Sequence, residues 1–452
     1  MIVINGQEIR INRENAVVSE MDEAYCKLCE KILSEGVETN NRTGINTLSI
    51  AGWNYKFDLQ KGFPIAETKD VKAKNFTSEI QWIHQVQSNR VDWLTERDNH
   101  TWDLWVVDED GIYRTYEQGD NAIYDPEKEV PLRKQVINPH TGDIDKIDVL
   151  DKYGKQVMVK SKDVMQGLEN PRTIKEALFF GEEYAGTIGE AYGYINSLYH
   201  RPQFVEHKLK TNPTDRRMNI SLWQDAHIAK AVLPSCVWSS EYKVTPDGKL
   251  HSYVHQRSAD VPLGLPFNIS QYAVLLSMFA KANNYEVGTM SWSIMDAHIY
   301  MNQLNGIKKQ LQRYKYMKEY EEAIQTSTLE EVERLYNSTN KLYNIIHKKV
   351  KETLTVDVDS MPMSKRYKAL SITNEQLSNE YEEAFERKVC LEHMLTRETP
   401  ELELASHDSI FEYSTDFVKK GDKYLEENPI GNKEIVLKKY HKTPFISMPI
   451  AQ

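Results

Sequence analysis

The chain has 452 residues, of which 40% are hydrophobic and 27% charged, and it carries a formal net charge of −11. That balance describes a globular protein with a sizeable core, long enough for one large domain with insertions or for two or three smaller ones. The acidic excess argues against nucleic acid as a main partner, and no stretch approaches the roughly 18 apolar residues of a membrane span.

The N-terminal MIVINGQEIRIN lacks the basic start and apolar run of a signal peptide. The cytoplasm is therefore the expected location, the host cytoplasm if the source is viral. Alternation around Asn5-Gly6 predicts a short strand pair, followed by a helix from Met21 to Leu33. That helix carries Cys26 and Cys29 as a CxxC with no second CxxC or histidine pair, so the two read as structural and no metal is expected. Residues 46–60, NTLSIAGWNYKFDLQ, alternate like a strand, and FTSEIQWIHQVQ reads as a helix over 76–87 with Phe76, Ile80, Ile83 and Val86 or Gln87 along one side.

From Val107 to about Tyr184, short β-like runs alternate with turn signals such as Asn-Pro, Thr-Gly and Tyr-Gly. Residues 185–303 are denser in apolar side chains. The stretch 307–393 is rich in Tyr, Lys and Glu, and Ser327-Thr-Leu-Glu330 predicts a capping box ahead of Leu329, Val332, Leu335, Leu342, Ile346 and Val350 at helical spacing. Cys390 also falls on a helical face.

Five short pieces stand out. NNRTG (40–44) is a turn with an exposed Arg42, and DRR (215–217) precedes the strand-like MNISLW. LPSCVWSS (233–240) holds Cys236, and HQRSADVPLGLPFNISQY (255–272) gathers Arg257, Ser258, Asp260 and Asn268. MDAHIY (295–300) puts His298 and Tyr300 on one face of a strand. Taken singly, these are a solvated arginine pair, a packed His–Tyr pair and a core thiol, free cysteine being among the most buried residue types. Spacing alone indicates an α/β enzyme with an anion site.

The order of the pieces carries more. RTG, FDLQKGFPIAETK, SEIQW, TWDLW, EAYG, DRRMNISLW, LPSC, HQRSADVPLGLPFNISQYA, DAHIY and a closing FISMPIA together resemble thymidylate synthase. The resemblance implies an α+β fold, a large mixed β-sheet packed by helices and used for dimerisation. It assigns a catalytic core to residues 1–106, 185–303 and 396–452, with insertions at 107–184 (β-like turns) and 304–395 (helical).

By that resemblance the reaction is folate-dependent one-carbon transfer to C5 of dUMP, with 5,10-methylenetetrahydrofolate as co-substrate. Cys236 is the nucleophile that adds to C6 and makes C5 reactive. An ordinary thiol titrates near ~8.5 and needs a positive neighbour to act as thiolate at neutral pH, a role open to Arg257. Arg42, Arg257 and Ser258 match phosphate ligands, guanidinium suiting that geometry. Arg216 and Arg217 match a pair that reaches the phosphate of the neighbouring subunit in a homodimer. Asn268 matches the reader of the pyrimidine edge, able to donate to O4 and accept from N3–H of uracil. His298 and Tyr300 match sugar contacts, Glu79 an organiser of proton transfers, and Tyr192 an active-site tyrosine. Trp102, Asp260 and Gly264 match folate-side residues, with Lys69 a candidate for the folate glutamate tail.

Three departures from the pattern matter. The nucleophile is followed by Val237 where the family typically has histidine; the chain ends Pro-Ile-Ala-Gln452; and Glu67 stands where threonine is usual. These positions bear on the step after C5 attack. Thymidylate synthase reduces the exocyclic methylene with hydride from folate, whereas the related phage pyrimidine hydroxymethylases add water. The reading favoured is dUMP hydroxymethylase, with thymidylate synthase as the alternative, which the retained Trp102 supports. A third reading is an inactive nucleotide-binding regulatory homologue, against which the joint presence of Cys236, Glu79, Tyr192 and Asn268 argues.

Overall fold

The computed structural model describes residues 2–4, 6–41, 43–117, 124–161, 172–354 and 357–450. Arg42 and Gln452, both singled out above, lie outside the described residues. Among the described residues no helix is long and apolar enough to cross a membrane.

The centre of the molecule is a six-stranded mixed sheet. Its strands run in the order Asn219–Ser221, Val237–Val244, Lys249–Asp260, Glu286–Tyr300, Thr47–Asp58 and Val37–Thr39. Neighbours are antiparallel except Lys249–Asp260 and Glu286–Tyr300, which run parallel and are joined by the helix Gly264–Ala282. A parallel pair needs such a crossover, and this helix supplies it. It is almost wholly buried, from Leu265 to Ala282, because it lies between the sheet and the helix Ala73–His84. One consequence positions the site: the C-terminal ends of the two parallel strands and the start of the crossover helix converge, bringing Arg257, Ser258, Asp260, Asn268 and His298 into one region.

The N-terminal strand pair forms as expected, Ile2–Ile4 against Gln7–Ile9, and the first helix is Glu20–Glu35. Cys26 and Cys29 are fully buried free thiols on that helix. Two readings need correction. The second helix ends at His84, so Val86 and Gln87 lie beyond it, Gln87 at φ 57° in the turn that reverses the chain. The capping box forms one residue later than expected: Thr328 Oγ1 accepts from Glu331 N at 3.3 Å, and Glu331 Oε2 accepts from Thr328 N at 2.8 Å. Thr328, immediately before the helix Leu329–Leu354, has its side chain where the first turn's free N–H groups point.

Residues 107–184 hold a separate small sheet, ordered Ile112–Tyr116, Ile174–Phe179, Glu129–Ile137, Ile144–Asp148, with Met158–Lys160 also on Glu129–Ile137. Residues 304–395 form the helices Leu304–Thr326, Leu329–Leu354, Met363–Thr373 and Glu375–Thr396. These helices are tied to the core by charge as well as by packing. Arg313, 1% exposed, pairs with Glu386 at 2.5 and 3.0 Å and also donates to the carbonyls of Thr68 (3.1 Å) and Pro444 (2.5 Å). Glu67, the residue standing in for threonine, is buried against Arg397 at 2.9 Å and His393 at 2.9 Å.

Candidate active site

Cys236 lies immediately before the strand Val237–Val244, half-buried, at the end of a loop whose carbonyls are turned inward. Arg257, across the sheet on Lys249–Asp260, ties that loop down. Its Nε donates to Ser235 O at 3.1 Å and its Nη2 to Pro234 O at 2.7 Å, leaving Nη2 3.7 Å from Cys236 Sγ. The backbone joins them again through Arg257 N to Cys236 O at 2.9 Å. The guanidinium also lies 5.6 Å from the Trp223 ring centroid, an apolar backing for a charge that faces the thiol.

Tyr192 approaches from the other side, its hydroxyl accepting the Cys236 N–H at 3.0 Å. It adopts φ 49°, unusual for an aromatic residue and held by the tight turn into Gly193, where a Cβ would stand 2.0 Å from Ser88 O. Burial pushes the Tyr192 phenol well up, so it is protonated. Its ring meets Trp102 edge-on at 5.2 Å, and Trp102 Nε1 donates to Glu79 Oε1 at 3.0 Å. Glu79 is 7% exposed on the helix Ala73–His84, and burial lifts its carboxyl to about 7, against the pull of the Trp102 N–H. A carboxyl poised there can hold or release a proton near neutrality.

Ser258 and His298 share a partner the sequence reading passed over. Ser258 Oγ donates to Asp296 Oδ2 at 3.2 Å, and His298 Nδ1 meets the same oxygen at 3.1 Å. The His298 and Tyr300 rings pack edge-to-face at 5.1 Å, on one side of their strand. Asp260 accepts from Leu263 N and Gln303 Nε2, each at 3.1 Å; Gln303 also donates to Pro449 O at 3.0 Å, linking Asp260 to the C-terminal tail. Burial raises the Asp260 carboxyl, with Gln303 the largest opposing influence. Gly264 opens the crossover helix, and a Cβ there would make only ordinary contacts with Asn268 and Asp260, so the space does not demand glycine.

Other candidates sit apart from this group or face away. Lys69 is 3% exposed and donates to the Pro262 carbonyl; burial lowers its ammonium to about 8, with Asp260 opposing. Arg216 and Arg217 are on the surface, where Asp215 holds Arg217 at 2.9 and 2.8 Å.

Asn268 makes two amide contacts. Its Oδ1 accepts from Gln256 Nε2 and its Nδ2 donates to Gln271 Oε1, both at 3.1 Å. Neither glutamine was singled out in the sequence, though both lie inside the motif quoted for 255–272. Their places, beside Arg257 and one helical turn after Asn268, were the available signals.

A sequence model of the family "Thymidylate synthase" matches residues 23–351. The thymidylate synthase of Leuconostoc mesenteroides subsp. mesenteroides is 32% identical over 308 residues, covering 66% of this chain and 87% of the relative. That of Oenococcus oeni is 31% identical over 311 residues, with 66% and 87% covered. Among solved structures, the thermostable thymidylate synthase A of Bacillus subtilis is 26% identical with a TM-score of 0.44, over 65% of this chain and 84% of that one.

Proposed function

We propose that this chain, which belongs to the thymidylate synthase family and is a one-carbon transferase, transfers the one-carbon unit of 5,10-methylenetetrahydrofolate to C5 of dUMP and completes the reaction with water. The single observation that carries the first part is one half-buried thiol, Cys236, with Arg257 Nη2 3.7 Å from its sulfur and Tyr192 OH 3.0 Å from its backbone nitrogen. Arg257 favours the thiolate by charge, and Tyr192 fixes the backbone that presents it.

The steps follow from these groups. The thiolate adds to C6 of uracil, and the electrons of the C5–C6 double bond pass toward O4. C5 then attacks the methylene of the folate, forming the new carbon–carbon bond. Loss of the C5 proton and departure of the folate nitrogen, which keeps the electron pair, leave an exocyclic methylene. Glu79, poised at about 7 beside Trp102, is the group suited to these proton transfers. Addition of water to the methylene, with expulsion of the thiolate, gives 5-hydroxymethyl-dUMP and tetrahydrofolate. Arg257 and Ser258, with Arg42, would hold the phosphate, and His298 and Tyr300 the sugar; Trp102, Asp260 and Gly264 would line the folate side. Lys69 could meet the folate glutamate tail only after turning outward. Arg216 and Arg217, exposed on the surface, would complete the site of a second copy in a homodimer.

Val237 supports water as the final partner. It is 3% exposed and apolar, directly after the nucleophile where the family typically has histidine, so no imidazole at that position holds the solvent near the pyrimidine in a fixed network that keeps it from adding. Trp102 favours the second reading, thymidylate synthase: its indole is buried against Tyr192 and Glu79, an apolar wall suited to hydride transfer.

The test of the shared chemistry is exchange of the C5 hydrogen of dUMP. The native protein should release label from dUMP tritiated at C5, and Cys236→Ser should release none. Label release by Cys236→Ser at the native rate would remove Cys236 from the mechanism.

A further inference from the structure

We infer that Trp292 and Gln256 are specificity-determining positioning residues, which lock the Asn268 amide in the orientation that reads uracil and rejects cytosine. The inference rests on the reading of Asn268 as the pyrimidine contact. It begins with a side chain whose polarity is not in question. An indole N–H can only donate, and Trp292 Nε1, fully buried, donates to Gln256 at 3.1 Å. The Gln256 atom it meets must therefore be the carbonyl oxygen.

A second, independent contact agrees. The other end of the Gln256 amide lies 3.0 Å from the Ser258 carbonyl oxygen, which can only accept, so that end is the NH2. Gln256 is 3% exposed on the strand Lys249–Asp260, level with Val237 on one side and Ile294 on the other, so it has no room to exchange these partners for water. Its remaining N–H points at Asn268 at 3.1 Å, which makes that Asn268 atom Oδ1. Asn268 Nδ2 then donates to Gln271 Oε1, one turn along the same helix. The direction of every bond is set from the Trp292 end.

Hydrogen-bond counting shows what is left over. An asparagine amide has two lone pairs on oxygen and two N–H groups, and the relay uses one of each. The remaining lone pair and the remaining N–H are what a pyrimidine can meet. An oxygen that accepts from N3–H beside a nitrogen that donates to O4 is the complement of uracil. Cytosine, with N3 an acceptor and N4 a donor, requires the amide turned over. In that orientation Asn268 Nδ2 would face the Gln256 NH2, donor against donor, in a buried site. The relay continues past Asn268: Gln271, 2% exposed, has its amide nitrogen left without a hydrogen-bond partner of normal geometry among the described residues, yet close enough to Glu79 to favour the ionised carboxylate. Reading of the base and the state of the proton-transfer carboxyl thus share one chain of amides.

The experiment measures equilibrium binding of dUMP and of dCMP to the native protein, Gln256→Leu, Trp292→Phe and Asn268→Asp. In Gln256→Leu the Asn268 amide is free to turn, and the preference for dUMP over dCMP should fall by about ten-fold or more, chiefly through tighter dCMP binding. Trp292→Phe, which removes one of the two anchors of Gln256, should shift the preference in the same direction by less. A merely structural role would weaken both nucleotides together, and an unchanged ratio in Gln256→Leu overturns the inference; should that variant fail to fold, an unchanged ratio in Trp292→Phe does so. Asn268→Asp separates the two levels. If it changes the preference while Gln256→Leu does not, the relay is wrong and Asn268 still reads the base. If Asn268→Asp also leaves the preference intact, the assignment of Asn268 itself falls.

Discussion

Arg257 Nη2 stands 3.7 Å from Cys236 Sγ while the same nitrogen donates to the Pro234 carbonyl at 2.7 Å. One guanidinium therefore both shapes the nucleophile's loop and places positive charge beside the sulfur. Arg257→Gln should slow alkylation of Cys236 by iodoacetamide at pH 7 by about ten-fold or more, because it removes both the charge beside the sulfur and the tie on its loop. Cys26, Cys29 and Cys390 are fully buried and should stay unlabelled in the native fold, so mass spectrometry of labelled peptides reads Cys236 alone.

Glu79 makes stability depend on pH in a definite direction. Its carboxyl titrates at about 7 in the fold against an ordinary 4.5, so between those values the native state binds more protons than the unfolded chain. The contribution is fully present below about 4.5 and is lost as pH rises through 7, amounting to about 3 kcal/mol. Glu79→Gln should gain that much stability relative to the native protein between pH 5 and pH 8 in urea unfolding, while losing turnover. A constant difference between the two proteins across this range would contradict the assignment.

The Arg313–Glu386 pair is buried on both sides, at 1% and 5% side-chain exposure. Arg313→Met leaves Glu386 only Lys309, whose Nζ is 3.1 Å from Oε1, and frees the carbonyls of Thr68 and Pro444, so it should cost about 3 kcal/mol of unfolding free energy. The double change Arg313→Met with Glu386→Leu should recover a good part of that loss, because the buried carboxylate is gone and Lys309 keeps Glu382 at 2.6 Å.

The cap of the helix Leu329–Leu354 gives a smaller and sharper comparison. Thr328→Ala should lower stability by about 1 kcal/mol, since it removes the acceptor for Glu331 N. Ser327→Ala should change little.

That cap also shows where sequence reading stops. Ser327…Glu330 and Thr328…Glu331 have the same spacing and the same residue classes, and only the exit of the preceding helix at Thr326 decides between them. The helices Glu20–Glu35 and Ala73–His84, the helical character of 307–393, the strand Thr47–Asp58 and the β character of 107–184 were legible because periodicity and turn residues are local signals; the crossover helix Gly264–Ala282 was not read as such. The parallel pairing of Lys249–Asp260 with Glu286–Tyr300 was not, since strand order depends on what the Gly264–Ala282 helix buries. Within the site, Cys236, Arg257 and Asn268 could be picked out because the order of the motifs that hold them resembles thymidylate synthase; taken singly, each reads as ordinary packing or surface chemistry. Gln256, Gln271, Trp292 and Asp296 could not. Each acts through a partner distant in sequence, and an amide in a motif or a tryptophan in a strand looks like ordinary packing until its hydrogen bonds are known.

The central claim is that this family member finishes with water, and one incubation tests it most directly. The protein is mixed with dUMP and 5,10-methylenetetrahydrofolate, the nucleotide product is identified by mass spectrometry, and dihydrofolate absorbance is followed in the same cuvette. The account predicts 5-hydroxymethyl-dUMP with no dihydrofolate. A methylated product with an equal amount of dihydrofolate would contradict it and make Val237 a variant without influence on the final step.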